Sequence, residues 1–534
     1  MCGIAGVIGE PRSNELEQML QITAHRGRDN RKTQTFDGIG SIGINRLSII
    51  DLARGNQPIF NEDGSLAVVC NGEIYNHQSI RDDLAKDHDF QTNSDIEVIV
   101  HLYEEYGDEA IKFLDGMFAF ILCDLKKGRT LIGRDPLGIK PLSYRQDDEV
   151  TYVASEVKAL VGFGSEGIRD LPPGCFWSSD GGVQKYYEPA FKTSKPDADL
   201  CRSLLKHAVR KRMMSDVEVG TFLSGGIDSS IVTALAAREN PDIKAITVGM
   251  EGTPDVEMAK KVAKHLQIEH IVVDFQVEDM LELLPEAIYY IESYNPSMVT
   301  GAIVTLMASR LATEQGIKVV LCGEGSDEIL GGYSAVRSLS FLELRDKLNT
   351  LLKNLHKTEL RRLDRMSMAA TLEARVPFLD RDFVEYAFNL PSNEKIKLVE
   401  GKRIEKWHLR DAFEGLLPDE LIWREKMPFD QGSGGRSLIP LIENKIDDET
   451  FEQKSREYAP WNIQSKEMLY YFEIWRENFG ELLEPGKTFD MFGDYPVLME
   501  QIANRGENSQ GDLDDSQRKN GAREDSKILE SSES

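Results

Sequence analysis

The chain has 534 residues, too many for one hydrophobic core, and its 41% hydrophobic content is that of an ordinary globular protein of two or three domains. A formal net charge of −27 without any clustered Lys/Arg run argues against nucleic acid as a partner. Six cysteines with no Cys-x-x-Cys pair fit neither a disulfide framework nor a zinc site; with no secretory leader and no apolar stretch near the ~18 to 20 residues of a membrane span, the expectation is a soluble cytoplasmic protein.

From Met1 to about Pro189, short apolar runs are broken by Gly, Asn and Asp: Ser41-Ile-Gly-Ile-Asn, Leu66-Ala-Val-Val-Cys and Met117-Phe-Ala-Phe-Ile-Leu-Cys. They predict strands and turns, with a helix or two between Ser94 and Tyr106, and so a layered, strand-rich first domain over residues 1–190. The polar stretch Lys192-Thr-Ser-Lys-Pro-Asp-Ala-Asp separates it from a second domain, expected over 198–490. There, helices alternate with β-branched strands such as Ala245-Ile-Thr-Val and Lys318-Val-Val-Leu, which predicts a parallel α/β sheet. Helical periodicity dominates from Leu339 to about Gly480. Residues 504–534 are polar and acidic, and are expected to be a disordered tail.

Chemistry is first written at Met1-Cys2-Gly3-Ile4. Removal of the initiator Met would leave Cys2 with a free amine of pKa ~7.7–8.0 beside a thiol of pKa ~8.5, a nucleophile that carries its own base. Glutamine presents a carboxylate, an ammonium and a side-chain carbonyl, and the first domain offers a partner for each. Arg46 suits the carboxylate through bidentate contacts. Glu73 and Asp95 suit the ammonium, while the Asn71 side chain and the Gly72 peptide N–H suit the oxyanion that develops on attack.

In the second domain, Val219-Gly-Thr-Phe-Leu-Ser-Gly-Gly-Ile-Asp-Ser-Ser is a strand, a Gly-rich turn and the start of a helix, an anion site in which Gly225 and Gly226 admit a phosphate. Ser224 and Ser229 add hydroxyl donors. Asp228 would repel phosphate unless a cation stood between them, which implies Mg2+. The cluster Leu321-Cys-Gly-Glu-Gly-Ser-Asp-Glu follows another strand, so both clusters should meet at the carboxyl edge of one sheet, with Asp327 completing the magnesium site. A P-loop reading of Gly480-Glu-Leu-Leu-Glu-Pro-Gly-Lys-Thr fails because its glycines are one residue too far apart.

Met1-Cys-Gly-Ile-Ala-Gly, His25-Arg-Gly, Arg46-Leu-Ser-Ile-Ile-Asp, Asn71-Gly-Glu-Ile-Tyr-Asn, Gly116-Met-Phe-Ala-Phe and Gly133-Arg-Asp-Pro-Leu-Gly-Ile-Lys-Pro, in this order, resemble the N-terminal-nucleophile glutaminase domain of class II amidotransferases. Arg28 departs from the usual proline of His-Arg-Gly-Pro-Asp. Ser224-Gly-Gly-Ile-Asp-Ser resembles the pyrophosphate loop of ATP pyrophosphatases, and Arg365-Met-Ser-Met-Ala-Ala-Thr-Leu-Glu-Ala-Arg-Val-Pro-Phe-Leu-Asp and Gly401-Lys-Arg-Ile-Glu-Lys are similar to later motifs of glutamine-hydrolysing asparagine synthetases.

That resemblance implies an αββα-layered glutaminase domain followed by a parallel-sheet α/β synthetase domain with a largely helical end. It implies glutamine, aspartate and ATP as substrates, Leu223, Val248 and Gly323 bordering the adenosine, and Glu324 as the base toward ammonia. Cys322 stands where the family often has Ser. Lys406, rather than Lys402, would stabilise charge on the adenylate. A homodimer is the usual assembly in the family. The acceptor stays open, because asparagine-making enzymes commonly read Arg-Ala-Ser where this chain reads Thr300-Gly301-Ala302; another carboxylate is the alternative, and a non-catalytic glutamine- or nucleotide-binding protein is a third reading.

Overall fold

The computed structural model describes residues 2–147, 149–164, 166–190, 192–425 and 434–480. The expected tail, the stretch 481–490 and the Pro-Gly-Lys-Thr half of the rejected P-loop lie outside these residues.

The amino-terminal part is built from two six-stranded antiparallel sheets. In the first, the spatial order is Arg169–Asp170, Ser143–Gln146, Thr151–Ala154, Gly3–Ile8, Gly40–Arg46, Asn30–Phe36. In the second it is Gly182–Lys185, Cys175–Ser178, Arg129–Arg134, Gly116–Asp124, Leu66–Ile74, Ile59–Phe60. The period of two divides each strand between layers. Ile4, Ile42 and Ile44 face Val69, Ala119 and Ile121 between the sheets, whereas Ala5 and Val7 pack outward with Leu16, Met19 and Leu20 of the helix Ser13–Ile22.

On the far side, Val68, Cys70, Phe118 and Phe120 pack with Val98, Ile99 and Leu102 of the helix Val98–Tyr106. The layers are therefore αββα. Because both faces are covered, the central strands read as nearly continuous apolar runs rather than as polar–apolar alternation.

The second part carries a five-stranded parallel sheet in the order Glu269–Val273, Lys244–Val248, Val219–Phe222, Val319–Leu321, Glu373–Arg375. From Val219–Phe222 the chain builds outward in one direction through two strands, then crosses through the helices Val277–Ile291 and Pro296–Glu314 to the other side. The crevice between Val219–Phe222 and Val319–Leu321 is thus the point at which strand order reverses, where open α/β sheets bind ligands.

Among the described residues after 339 helices dominate, with two exceptions: the edge strand Glu373–Arg375 and the hairpin Ile396–Val399/Lys402–Glu405. Three residues are too few to show a strand period, which is why Glu373–Arg375 is invisible in the hydrophobic pattern.

The two parts are joined through buried charge. Arg26, fully buried, donates to Glu156 at 2.7 Å within its own part and to Asp364 of the helix Glu359–Ala369 at 2.8 Å. Thr371 donates to the carbonyl of His25 at 2.9 Å, and Lys318 reaches Asp29 at 2.9 Å. Arg28 itself is exposed.

Candidate active site

Cys2 immediately precedes the strand that pairs Gly3 with Asn45, and its backbone N–H donates to the Asn71 side-chain carbonyl at 2.9 Å. That bond fixes which way the amide points. The other end of the group, Asn71 Nδ2, is buried and has no hydrogen-bond partner. An orphaned buried donor costs about 1–3 kcal/mol, and here it belongs to the side chain that accepts from Cys2 N–H.

Gly72 follows with φ of +152°, and a Cβ there would lie 2.0 Å from the Met117 carbonyl; only glycine brings the two strands this close. The Arg26 side chain holds Cys2 from behind, donating to its carbonyl at 3.0 Å. Burial pushes the Cys2 thiol up, and Leu47 N–H and Arg46 pull the other way.

Arg46 is buried and pre-oriented: one guanidinium nitrogen donates to the carbonyls of Ile50 and Asp51 at 2.9 Å each, and the other to Asn56 at 2.8 Å. Glu73 and Asp95 are both buried, Asp95 accepting from Ile74 N–H at 2.7 Å. Burial drives the carboxyl of Glu73 well above the usual carboxylate range, reinforced by Glu373 and Asp95, and burial raises Asp95 as well. Two desolvated carboxyls short of positive charge suit an arriving ammonium.

Among the described residues, the cation nearest Glu73 comes from the other part of the chain. Arg375 stands 3.6 Å from Glu73 and 2.5 Å from Glu373, and it donates to the carbonyls of Arg212 and Met214 at 2.6 and 2.5 Å. The carbonyl of the same Arg375 accepts from Cys322 N–H at 3.0 Å. The edge strand of the parallel sheet therefore touches the Cys2 pocket with a side chain and the second cluster with its backbone.

The second cluster forms at the crevice. A cleft with a cavity volume of about 170 Å³ is lined by Ser224, Gly226, Asp228, Ser229, Cys322, Gly323, Glu324 and Asp327, together with Arg362 and Arg424. Ser224 and Ser229 hydroxyls lie 2.9 Å apart, with Ser224 N–H donating to Ser229 at 3.1 Å. Gly225 has φ of +74°, and a Cβ there would meet the Asp255 carbonyl at 2.2 Å. Gly323 packs so tightly that a Cβ would lie 2.6 Å from Ser229 N. Leu223 and Val248 sit at the strand ends beside the cleft without lining it, Leu223 N–H donating to Ile246 O at 2.9 Å.

Lys406 is fully buried and places its ammonium 2.5 Å from both Asp228 and Asp327. Lys402, on the hairpin, is exposed. The two carboxylates converge on one point next to the Gly-rich loop, with Ser326 donating to Asp228 at 2.7 Å. Such a pair fits Mg2+, which takes one or two carboxylates and fills its remaining positions with phosphate and water oxygens.

Glu324 is held by Arg362 at 2.5 Å, and Arg362 also meets Glu359 at 3.1 Å. At the departure, Thr300 is buried and donates to Pro296 O at 3.3 Å within its helix. Gly301 leaves room for Arg362, whose guanidinium would lie 3.0 Å from a Cβ there. The cleft thus gains a cation from the helix Glu359–Ala369. Sequence reasoning passed over Arg362, Glu328 and Arg375. Arg375 and Glu328 lie inside quoted motifs and Arg362 three residues before one; in the structure Arg375 and Glu328 are buried and Arg362 is half-buried.

Residues 1–174 match the profile of the glutamine amidotransferase domain, and residues 200–351 and 342–472 match that of asparagine synthase. Asparagine synthetase [glutamine-hydrolyzing] 1 of Arabidopsis thaliana is 36% identical over 527 residues, covering 91% of this chain and 88% of its own. Asparagine synthetase B [glutamine-hydrolyzing] of Escherichia coli K12 is 37% identical over 512 residues, covering 90% of this chain and 91% of its own. A solved glutamine phosphoribosylpyrophosphate amidotransferase from B. subtilis aligns over 46% of this chain and 65% of its own at 22% identity and a TM-score of 0.30. With relatives at this identity matching nine-tenths of its length, the chain belongs to the family of glutamine-hydrolysing asparagine synthetases.

Proposed function

We propose that this protein makes asparagine, hydrolysing glutamine at Cys2 and delivering the ammonia to L-aspartate activated by ATP, with residues 1–190 as the glutaminase domain and 198–490 as the synthetase domain. The observation that carries the coupling is the edge strand Glu373–Arg375, whose one residue Arg375 reaches Glu73 by its side chain and Cys322 by its carbonyl.

In the first step the Cys2 sulfur attacks the glutamine carbonyl, its proton passing to the α-amine freed by Met removal. Asn71 Nδ2 and Gly72 N–H receive the oxyanion, Arg46 holds the substrate carboxylate, and Glu73 with Asp95 holds the ammonium. The α-ammonium then gives that proton to the amide nitrogen, ammonia leaves, and water releases glutamate from the thioester.

In the second step an aspartate carboxylate oxygen attacks the α-phosphate of ATP, giving β-aspartyl-AMP and pyrophosphate. Leu223, Ser224, Gly225, Gly226, Ser229, Val248, Cys322 and Gly323 would surround the nucleotide. Asp228 and Asp327 would hold Mg2+, which supplies charge neutralisation for the departing pyrophosphate. Lys406 stabilises negative charge on the phosphoryl group. Ammonia then displaces AMP while Glu324 takes its surplus proton. A cytoplasmic homodimer is the expected setting.

A second reading rests on Thr300-Gly301-Ala302: with Thr300 turned into its helix and Arg362 beside Gly301, a carboxylate of different shape could occupy the acceptor place. The test is to follow asparagine and pyrophosphate together with ATP, magnesium, glutamine and L-aspartate, with Cys2→Ala alongside. Both products from the parent, and synthesis by Cys2→Ala from free ammonium alone, establish the first reading. Glutamine hydrolysis with neither product on adding aspartate overturns the acceptor and leaves the second reading.

A further inference from the structure

Away from both clefts, four side chains converge on the outer helical layer of the amino-terminal part. Glu62 lies in the turn between Ile59–Phe60 and Leu66–Ile74. His88 lies in the loop after the helix His77–Leu84, and His101 and Glu104 are three residues apart on Val98–Tyr106. One ligand atom from each lies within 4.8 Å of the others.

The spacing is that of a coordination polyhedron. His88 Nδ1 stands 3.2 Å from Glu62 and 3.4 Å from Glu104, while His101 Nδ1 stands 3.6 Å from Glu62 and 3.4 Å from Glu104. A tetrahedron with metal–ligand bonds of about 2.0–2.1 Å has edges of about 3.3–3.4 Å; the two edges from Glu104 Oε2 to the imidazoles are already at that length, and Glu62 approaches His88 through Oε1 and His101 through Oε2.

An independent observation comes from His101. It is fully buried, and neither ring nitrogen has a hydrogen-bond partner. A neutral imidazole has one lone pair and one N–H to satisfy. Coordination at Nδ1 uses the lone pair, and leaves Nε2–H facing Glu97 at 3.8 Å.

The outer contacts have the form found around metal-bound histidines. His88 Nε2 faces Glu105 at 3.1 Å, a carboxylate behind an imidazole. Asn61 donates to Glu104 Oε1 at 2.8 Å, leaving Oε2 for the centre, and Asp89 N–H donates to Glu62 Oε1 at 2.8 Å. Glu62 and Glu104 are partly exposed, which gives an ion a way in.

We propose that Glu62, His88, His101 and Glu104 form a binding site for a divalent transition ion, with two imidazoles and two carboxylates arranged for tetrahedral zinc. Imidazole and carboxylate ligands in this geometry suit zinc over magnesium or calcium, which prefer all-oxygen shells. The ion would tie the turn at Glu62 and the loop at His88 to the helix that begins just after Asp95, and so stiffen one wall of the Cys2 pocket from outside.

The test uses the full chain, dialysed against EDTA and titrated with zinc chloride in competition with a chromophoric chelator, beside His88→Gln and Glu62→Gln. Circular dichroism checks that the variants fold, and Glu62→Gln changes only a partly exposed side chain. One equivalent bound by the parent, weakened at least ~10-fold in each variant, with a thermal midpoint that zinc raises only in the parent, is the expected result. Cobalt(II) in place of zinc should give an intense tetrahedral visible band without thiolate charge transfer. Equal zinc affinity in all three proteins, no zinc bound by the parent, or a cobalt spectrum carrying a thiolate band would overturn the proposal.

Discussion

The guanidinium of Arg375 lies 3.6 Å from the carboxylate of Glu73, bringing the edge strand of the parallel sheet against the Asn71–Glu73 strand of the amino-terminal part. Glu373, also buried, is held by Arg375 to about 2, below the ordinary carboxylate range, and in turn pushes Glu73 up. One arginine therefore serves two carboxylates and, through its carbonyl, the loop at Cys322.

Replacing Arg375 by Met leaves Glu73 and Glu373 buried with no guanidinium between them. Breaking such a pair by removing one partner costs about 3–5 kcal/mol. The expected outcome is a lowered thermal midpoint and a raised KM for glutamine, with ammonium-dependent pyrophosphate release changed much less. Lysine should not rescue, since it lacks the planar fork that reaches two carbonyls and two carboxylates. A glutamine KM equal to the parent's would show that Arg375 does not govern the pocket.

Asn71→Ala removes the orphaned Nδ2 and the acceptor of Cys2 N–H together. Loss of a single oxyanion donor costs about 10²–10³-fold in kcat, and Arg46, Glu73 and Asp95, the groups proposed to bind glutamine, are untouched, so KM should move little. Glutamate release measures both. A large rise in KM with kcat intact would assign Asn71 to binding instead.

The amino-terminal layers were legible because their motifs are local. Cys2 and Asn71-Gly72-Glu73 sit on or next to strands whose apolar runs are readable, and Asp95 accepts from Ile74 N–H at the end of one of them. The Ser224–Ser229 loop and the Asp327 cluster were legible for the related reason that adjacent parallel strands place their carboxyl ends side by side.

What the sequence hid are the partners that arrive from far along the chain. Arg26 meets Asp364 across 338 residues, and Lys406 meets Asp228 across 178. Nothing in spacing marks Arg362 as the neighbour of Gly301, because helical charge is ordinarily solvated. The His88–His101 centre was passed over because its four members come from three segments in no recognisable ligand spacing.

Gly332 offers a test of Lys406 that does not touch its charge. A Cβ at Gly332 would lie 1.8 Å from Asp327 Oδ1 and 2.1 Å from Lys406 Cε. Gly332→Ala must therefore displace the lysine, the aspartate or both, and should resemble Lys406→Met. Both variants should lose about 10²-fold or more in aspartate-dependent pyrophosphate release, on the scale of removing one charge-stabilising group. Both should keep glutamine hydrolysis. A fully active Gly332→Ala would mean that the close packing around Lys406 is not needed for the adenylate step.

Glu328 supplies the pH-dependent prediction. It is buried one residue from Asp327, accepts from the Tyr333 hydroxyl, and burial with the charges of Asp327 and Glu359 raises its carboxyl to about 8. A carboxyl whose folded pKa exceeds its unfolded value of about 4.3 contributes stability that is complete below the unfolded value and is lost as pH rises through the folded one. The parent should therefore lose stability between about pH 4.3 and pH 8, by as much as a few kcal/mol from this group. Glu328→Gln keeps an acceptor for Tyr333 and removes the ionisation, so its thermal midpoint should gain on the parent's as pH rises from 5 to 8. Thermal melts of the two proteins at pH 5, 6, 7 and 8 measure that difference directly. A constant gap across the series would mean that Glu328 ionises in the folded protein as readily as in the unfolded chain.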